Sequence, residues 1–324
     1  MRAREELVER LASHRRTQLS GLSDAGYQEL VRDVRSRPED FVDCPADEAF
    51  LLVCQALERH DAACVGEDLL DDDAFFAARQ RRMGRLERDC EAALTHDPDC
   101  LDAQLLRLQA MDEDPDPGLP ALAELDARAW GQLTSADLPS SGDAWDDVFL
   151  RPALRIRAAL SRACLDSARY RRAAQLGEEA MSLSPGDAQG MRHTCALCYA
   201  RLEDEPAFEA LDVRFSRQGD SWHHLSRIIL LYKLGRLSAA RRAIGGYTRL
   251  CEGEAYALLK PIMIDTYLPD RDFAPPFSFQ EATQAVHEAD PIICDVPDFI
   301  SWAQSQRDIW FSAESFAQHF GFEW

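Results

Sequence analysis

Residues 170–183 read YRRAAQLGEEAMSL, residues 206–217 PAFEALDVRFSR and residues 237–251 LSAARRAIGGYTRLC. Ala173, Ala207 and Ala240 recur in them at intervals of 34 and 33 residues. Each stretch has helical spacing and follows another helical stretch, over 150–167, 188–202 and 221–234. Two helices repeated at about this interval mark an array of stacked helix pairs. In the upstream helices, Ile156, Leu160 and Cys164, then Met191, Cys195, Cys198 and Leu202, form the apolar stripe that packs a helix on its neighbours. The pairs close at Ser184-Pro185-Gly186-Asp187, near Gln218-Gly219-Asp220 and near Gly253.

Outward from this array the chain still reads as helix. Spans 4–18 and 24–37 are expected first, with Ser23 capping the second and Pro38 ending it. Span 46–64 follows, then an acidic loop from Glu67 to Asp73 that opens a long helix ending at His96 before Asp97-Pro98. Spans 99–112 and 119–133 make a helical hairpin, and Ser135 to Asp147 reads as a loop. Beyond residue 253 the period dissolves into a Pro-rich linker, PDRDFAPPFSF at 269–279. Helices over 279–289 and 297–319, the latter broken, and an aromatic tail complete the chain. No alternating apolar run predicts a strand. The domain reading is a helical N-terminal region over 1–134, repeats over 150–253 and C-terminal capping helices over 254–324.

Composition narrows the function. Hydrophobic residues make up 46% and charged residues 29%, as a folded globular chain requires. No apolar run approaches the about 20 residues that span a bilayer, and the N-terminus MRAREELVERLASHRR lacks a secretory apolar core. The ten cysteines show no dense disulfide framework, which points to a reducing cytoplasm. Arg outnumbers Lys 34 to 2, a bias that points to a GC-rich bacterial coding sequence. A net charge of -21 argues against nucleic-acid or anionic-membrane binding. The charge is uneven: residues 151–260 hold 18 Arg and Lys against 12 Asp and Glu. The repeat region is the basic part of an acidic protein.

With the helices placed, the repeat region resembles tetratricopeptide repeats. Ser161 and Cys164, Cys195 and Cys198, and Ile228 and Leu231 fall where that family packs its first helix. Ala173, Ala207 and Ala240 fall at its close contact in the second, and Ala180 and Pro185 at its closing positions. Arg214 and Tyr247 stand where a small residue is usual, and the closing Pro is missing twice. A narrower likeness covers about a third of the chain. LSPGDAQGMRHTCALCYARLEDEPAFEAL at 183–211, with the later Pro-rich linker, Glu-Ala helix and Trp helix, is similar to repeat proteins related to "suppression of tumorigenicity seven" and their bacterial relatives. These resemblances imply an all-α, right-handed helical solenoid and no known reaction.

Chemistry-bearing clusters read as structural. In HTCALC, His193, Cys195 and Cys198 lack a second ligand pair at zinc spacing, and the two cysteines fall at small, buried repeat positions. Asp112, Asp114 and Asp116 start like a calcium loop, but Pro117 takes the required glycine's place and Ala123 that of the closing glutamate. In HEADP, Pro291 replaces the second histidine of a zincin motif. No GxSxG, P-loop or dinucleotide glycine pattern is present. No catalytic residue, cofactor or metal is therefore assigned. Trp302, Trp310, Phe311, Phe316, Phe320, Phe322 and Trp324 are expected to cap the end of the array.

The expected function is non-catalytic binding of a protein or peptide, as an adaptor or scaffold. The alternatives are an enzyme or regulatory subunit with its site in the N-terminal half, and a structural homo-oligomer. The first helices line the concave side, so its expected ligand contacts are Arg155, Arg162, Gln189, Arg192, His193, Trp222 and His223. Arginines suit an acidic or carboxylate-bearing segment, because the planar fork makes paired hydrogen bonds. The competing expectation pairs these arginines with local acids such as Asp166 or Asp187, or with the chain's own acidic C-terminal tail.

Overall fold

The computed structural model describes residues 3–19, 21–111, 114–131, 133, 142–217, 219–265 and 267–324. Asp112 of the acidic triplet, residues 135–141 of the expected loop and Gln218 of one expected turn lie outside them. Among the described residues every regular element is helical, so the chain is all-α as its sequence predicts. It forms two compact units, residues 1–159 with 267–271, and residues 160–266 with 272–324.

The first unit holds α1 (Ala3–Gln18), α2 (Asp24–Ser36), α3 (Pro45–Cys64), α4 (Asp72–His96), α5 (Leu101–Ala110), α6 (Pro115–Gly131) and the start of α7 (Arg151–Asp166). Local chemistry sets the boundaries. The Ser23 hydroxyl accepts from the Gly26 N–H at 3.1 Å and starts α2, as expected for an N-cap. Asp71 caps α4 in the same way, accepting from the Ala74 N–H at 2.9 Å. Pro115 starts α6 four residues earlier than the sequence reading, because proline in a first turn needs no intrahelical donor. Asp116 thus lies inside a helix, where its charge complements the N-terminal dipole. Leu7, Leu11, Phe50, Val53, Leu86, Cys90 and Leu106 form the core of α1 to α5. A second cluster joins Leu105, Leu125 and Ala129 to Ala153 and Ile156.

The second unit holds the rest of α7, then α8 (Tyr170–Leu183), α9 (Met191–Leu202), α10 (Glu205–Arg214), α11 (Ser221–Lys233) and α12 (Leu237–Leu250). It continues with α13 (Glu254–Leu259), α14 (Phe279–Cys294), α15 (Phe299–Gln304) and α16 (Arg307–Phe320). α9 packs on α8, α10 and α11, and α11 on α12. The same turn recurs between paired helices. Ala168, Glu203 and Gly235 have φ of 58°, 61° and 69°. The next N–H reaches back to the carbonyl five residues earlier: Arg169 to Cys164 at 2.7 Å, Asp204 to Tyr199 at 3.0 Å and Arg236 to Leu231 at 2.9 Å. This is the left-handed helix stop that glycine makes without strain; Ala168 and Glu203 adopt it at a cost of roughly 1–2 kcal/mol each.

These turns correct the phase read from the alanines. Five residues after each left-handed position stand Ala173, Phe208 and Ala240, all 0% exposed. Ala207 is half-buried, one place out of register. α8 packs tightly on α9 at Gly177, where a Cβ would lie 2.5 Å from the Cys195 sulfur. Gly177→Ala is therefore expected to destabilise the fold by about 1–3 kcal/mol despite its better helix propensity. Cys195→Ala in the same chain should recover most of that loss in urea unfolding; a Gly177→Ala protein as stable as the wild type would refute the close contact.

Further departures lie beyond residue 253. α13 is absent from the sequence reading, and α14 runs through Pro291 to Cys294. The aromatic end is packed only in part: Phe316 is buried and stacks on Phe322 at 5.6 Å beside Tyr256 and Phe279, whereas Trp310, Phe311, Phe320, Phe322 and Trp324 are exposed. Among the described residues, no helix is long and apolar enough to cross a membrane.

Candidate functional site

α14 lies against α9, α11 and α13, and so rests on the first helices of two successive pairs. Its Ala282, Ala285, Val286, Ala289 and Ile292 are buried at helical spacing, and the small alanines let its backbone approach closely. Its carboxylates engage the face beneath it. The Trp222 indole N–H donates to Glu288 Oε2 at 3.1 Å. The Ser221 backbone N–H donates to Glu281 Oε1 at 2.9 Å. At the C-terminal end, Arg201 Nε donates to Asp295 Oδ2 at 2.7 Å, and the Tyr170 hydroxyl lies 3.4 Å from the same oxygen. The Arg201 guanidinium also lies over the Tyr170 ring, 5.3 Å from its centre. Burial and the Asp295 charge raise the Tyr170 phenol.

Four of the seven sequence-expected contacts, Arg192, His193, Trp222 and His223, share the polar start of α11. Asp220 caps that helix, accepting from the His223 N–H at 2.9 Å. His193 Nδ1 stands 3.5 Å from Asp220, and its ring stacks on Trp222 at 4.2 Å. Arg192 Nε lies 3.4 Å from Asp220, and its Nη1 4.0 Å from Asp187. Burial opposes ionisation of Asp220, but His193, the His223 N–H and Arg192 outweigh it and hold the carboxyl well below its usual range. His223 stacks on Phe208 at 4.4 Å with Nε2 3.2 Å from Asp212, and burial lowers its titration. Gln189 is buried in the turn before α9. Arg162 is half-buried within electrostatic reach of Asp166.

Arg155 is elsewhere. It is 1% exposed inside the first unit, where its guanidinium binds Glu6, Asp102 and Asp270 at 2.5–3.2 Å. The expectation of Arg155 at a ligand surface overlooked that these acids surround it from distant parts of the chain.

HTCALC is split by its helix. The Cys195 thiol faces the Ala174 carbonyl at 3.6 Å, whereas His193 turns to Asp220 and Trp222. Burial pushes both the Cys195 and Cys198 thiols far up. Another group, His14, Cys44 and Asp47, has its ligand atoms within 4.8 Å of one another. His14 Nδ1 and Asp47 Oδ1 are 2.7 Å apart, however, a hydrogen-bond separation shorter than the about 3.4 Å between two ligands of one tetrahedral zinc.

Sequence reading missed Tyr170, Arg201, Glu281, Glu288 and Asp295. The signal available was the 3.6-residue stripe of α14, which marks a helix with one face to bury. Comparison of the chain with models of protein families, with curated proteins and with solved structures finds no match in any of the three.

Proposed function

We propose that this chain is a non-catalytic, protein-binding scaffold of the tetratricopeptide type, a right-handed helical solenoid over its repeats. The observation that carries the reading is α14 seated on α9 and α11. A face that already holds one amphipathic helix, through an apolar stripe and carboxylate contacts to Trp222, Arg201 and Tyr170, has the chemistry to hold another. The recurring left-handed turns support the repeat reading. The partner is a protein or peptide whose helix carries carboxylates along one edge. The chain's acidity disfavours nucleic acid and membrane surfaces as alternatives, its cysteine usage suits a reducing cytoplasm, and its Arg-over-Lys bias suits a bacterial source.

In this reading α14 competes with the partner. A labelled peptide of residues 279–295 is expected to bind a Glu288→Ala/Asp295→Ala protein at least about tenfold more tightly than the wild type. The Trp222 bond to a carboxylate is worth about 1.5–3 kcal/mol and the half-exposed Arg201 pair up to about 1 kcal/mol, so their loss frees the face more often. Fluorescence anisotropy measures this, with circular dichroism confirming retained helix. Equal binding by the two proteins, or none by either, would refute the reading.

A further inference from the structure

We propose that the cavity between α3 and α4 is a binding site for a small phosphate-bearing molecule. The run Arg79, Arg81, Arg82, Arg85 and Arg88 on α4 stands out in a chain of net charge -21. Three of these arginines join Arg59 and His60 of α3 around a cavity of about 210 Å³. At about 30 Å³ per water, that space suits a diphosphate group.

Among the described residues two acids line the cavity, and each is taken. Glu67 Oε2 lies 2.9 Å from Arg82 Nη2, and Asp89 Oδ2 accepts from Arg59 Nε at 3.1 Å. Arg81 and Arg85 have no carboxylate partner among the described residues. The Arg82 side chain is 3% exposed and also meets His60 Nε2 through Nη1, at 3.4 Å. The cavity therefore combines a fixed, desolvated guanidinium with two exposed guanidiniums at its rim. A guanidinium fork matches phosphate oxygens in pairs, and a desolvated cation strengthens the bond. The repeat region is basic too, so paired arginine variants are what assign binding to this cavity.

Isothermal titration of the full-length protein with inorganic pyrophosphate tests the proposal. One molecule is expected to bind per chain, more tightly than sulfate or citrate. Arg81→Ala/Arg85→Ala, which alters exposed side chains only, should keep the helical dichroism and weaken binding at least tenfold. Arg171→Ala/Arg172→Ala, an equal charge change on exposed positions of α8, should leave it unchanged. The proposal is overturned if millimolar pyrophosphate does not bind, if sulfate or citrate binds as well, or if both double variants lose affinity alike.

Discussion

Arg155→Met should destabilise the protein by about 3–5 kcal/mol at neutral pH, the cost of breaking a buried ionic network from one side. Arg155 and Arg10 are the closest cations of this cluster, with Arg151 3.8 Å from Glu6, and Glu6, Asp102 and Asp270 are the anions. Glu6 and Asp102 are 4% and 1% exposed, so without Arg155 two buried carboxylates share the one Arg10 guanidinium, with little water to make up the loss. Burial opposes ionisation of Glu6, but Arg155 and then Arg10 more than offset it and hold its carboxyl below the usual range. A depressed carboxylate contributes stability that is present above its unfolded titration near 4.5 and lost as pH falls through the folded value. The Glu6 contribution should therefore decline in acid, and the stability difference between wild type and Arg155→Met should narrow from pH 7 to pH 4, since other titrating groups are common to both proteins. Arg155→Lys keeps the charge but cannot reproduce five hydrogen bonds from one planar group, and should fall between the two. Urea unfolding at pH 7 and pH 4 measures all three; a loss below about 1 kcal/mol for the methionine variant would show that the network is not mutually dependent.

The same cluster shows where the sequence stops being legible. Arg155 lies 53 residues from Asp102, 115 from Asp270 and 149 from Glu6. No local pattern selects those acids from the 57 Asp and Glu in the chain. Helix ends could be read because they depend on adjacent residues: Ser23 caps α2, and Asp97 ends α4. The interval of the helix pairs could be read too, but its phase slipped at Ala207. Alanine identity suggested the close contact, whereas backbone hydrogen bonding set the register and put the larger Phe208 there. α14 passes Pro291 because the face beneath it holds buried residues on both sides, from Ala282 to Ile292. Local propensity alone would stop the helix there. At the candidate site, the residue types on α9 and α11 were legible. Their partners were not, because Glu288 and Asp295 reach Trp222 and Arg201 from 66 and 94 residues away.

The second large effect concerns a buried acid at the start of α13. Glu254 is 0% exposed, and its Oε1 has no hydrogen-bond partner among the described residues. Burial first, then the nearby Glu281 charge, push its carboxyl up to about 8, although contacts to Ser221 and Cys251 favour the anion. Glu254 is thus protonated in the folded protein at neutral pH, while the unfolded chain releases that proton near 4.5. The sign follows from this difference. Folding binds a proton between pH 4.5 and 8, so this group's contribution is fully present below 4.5 and is lost as pH rises to about 8. The loss amounts to roughly 3–5 kcal/mol. Glu254→Gln has nearly the same shape and cannot ionise. It should remove this slope, making the variant less stable than or equal to the wild type at pH 5 and clearly more stable at pH 9. The difference between the two proteins isolates Glu254 from Glu6 and Asp220, whose depressed carboxyls titrate in both. Parallel stability curves for the two proteins from pH 5 to 9 would mean that Glu254 ionises in the fold as readily as in water, and that α13 opens to admit solvent.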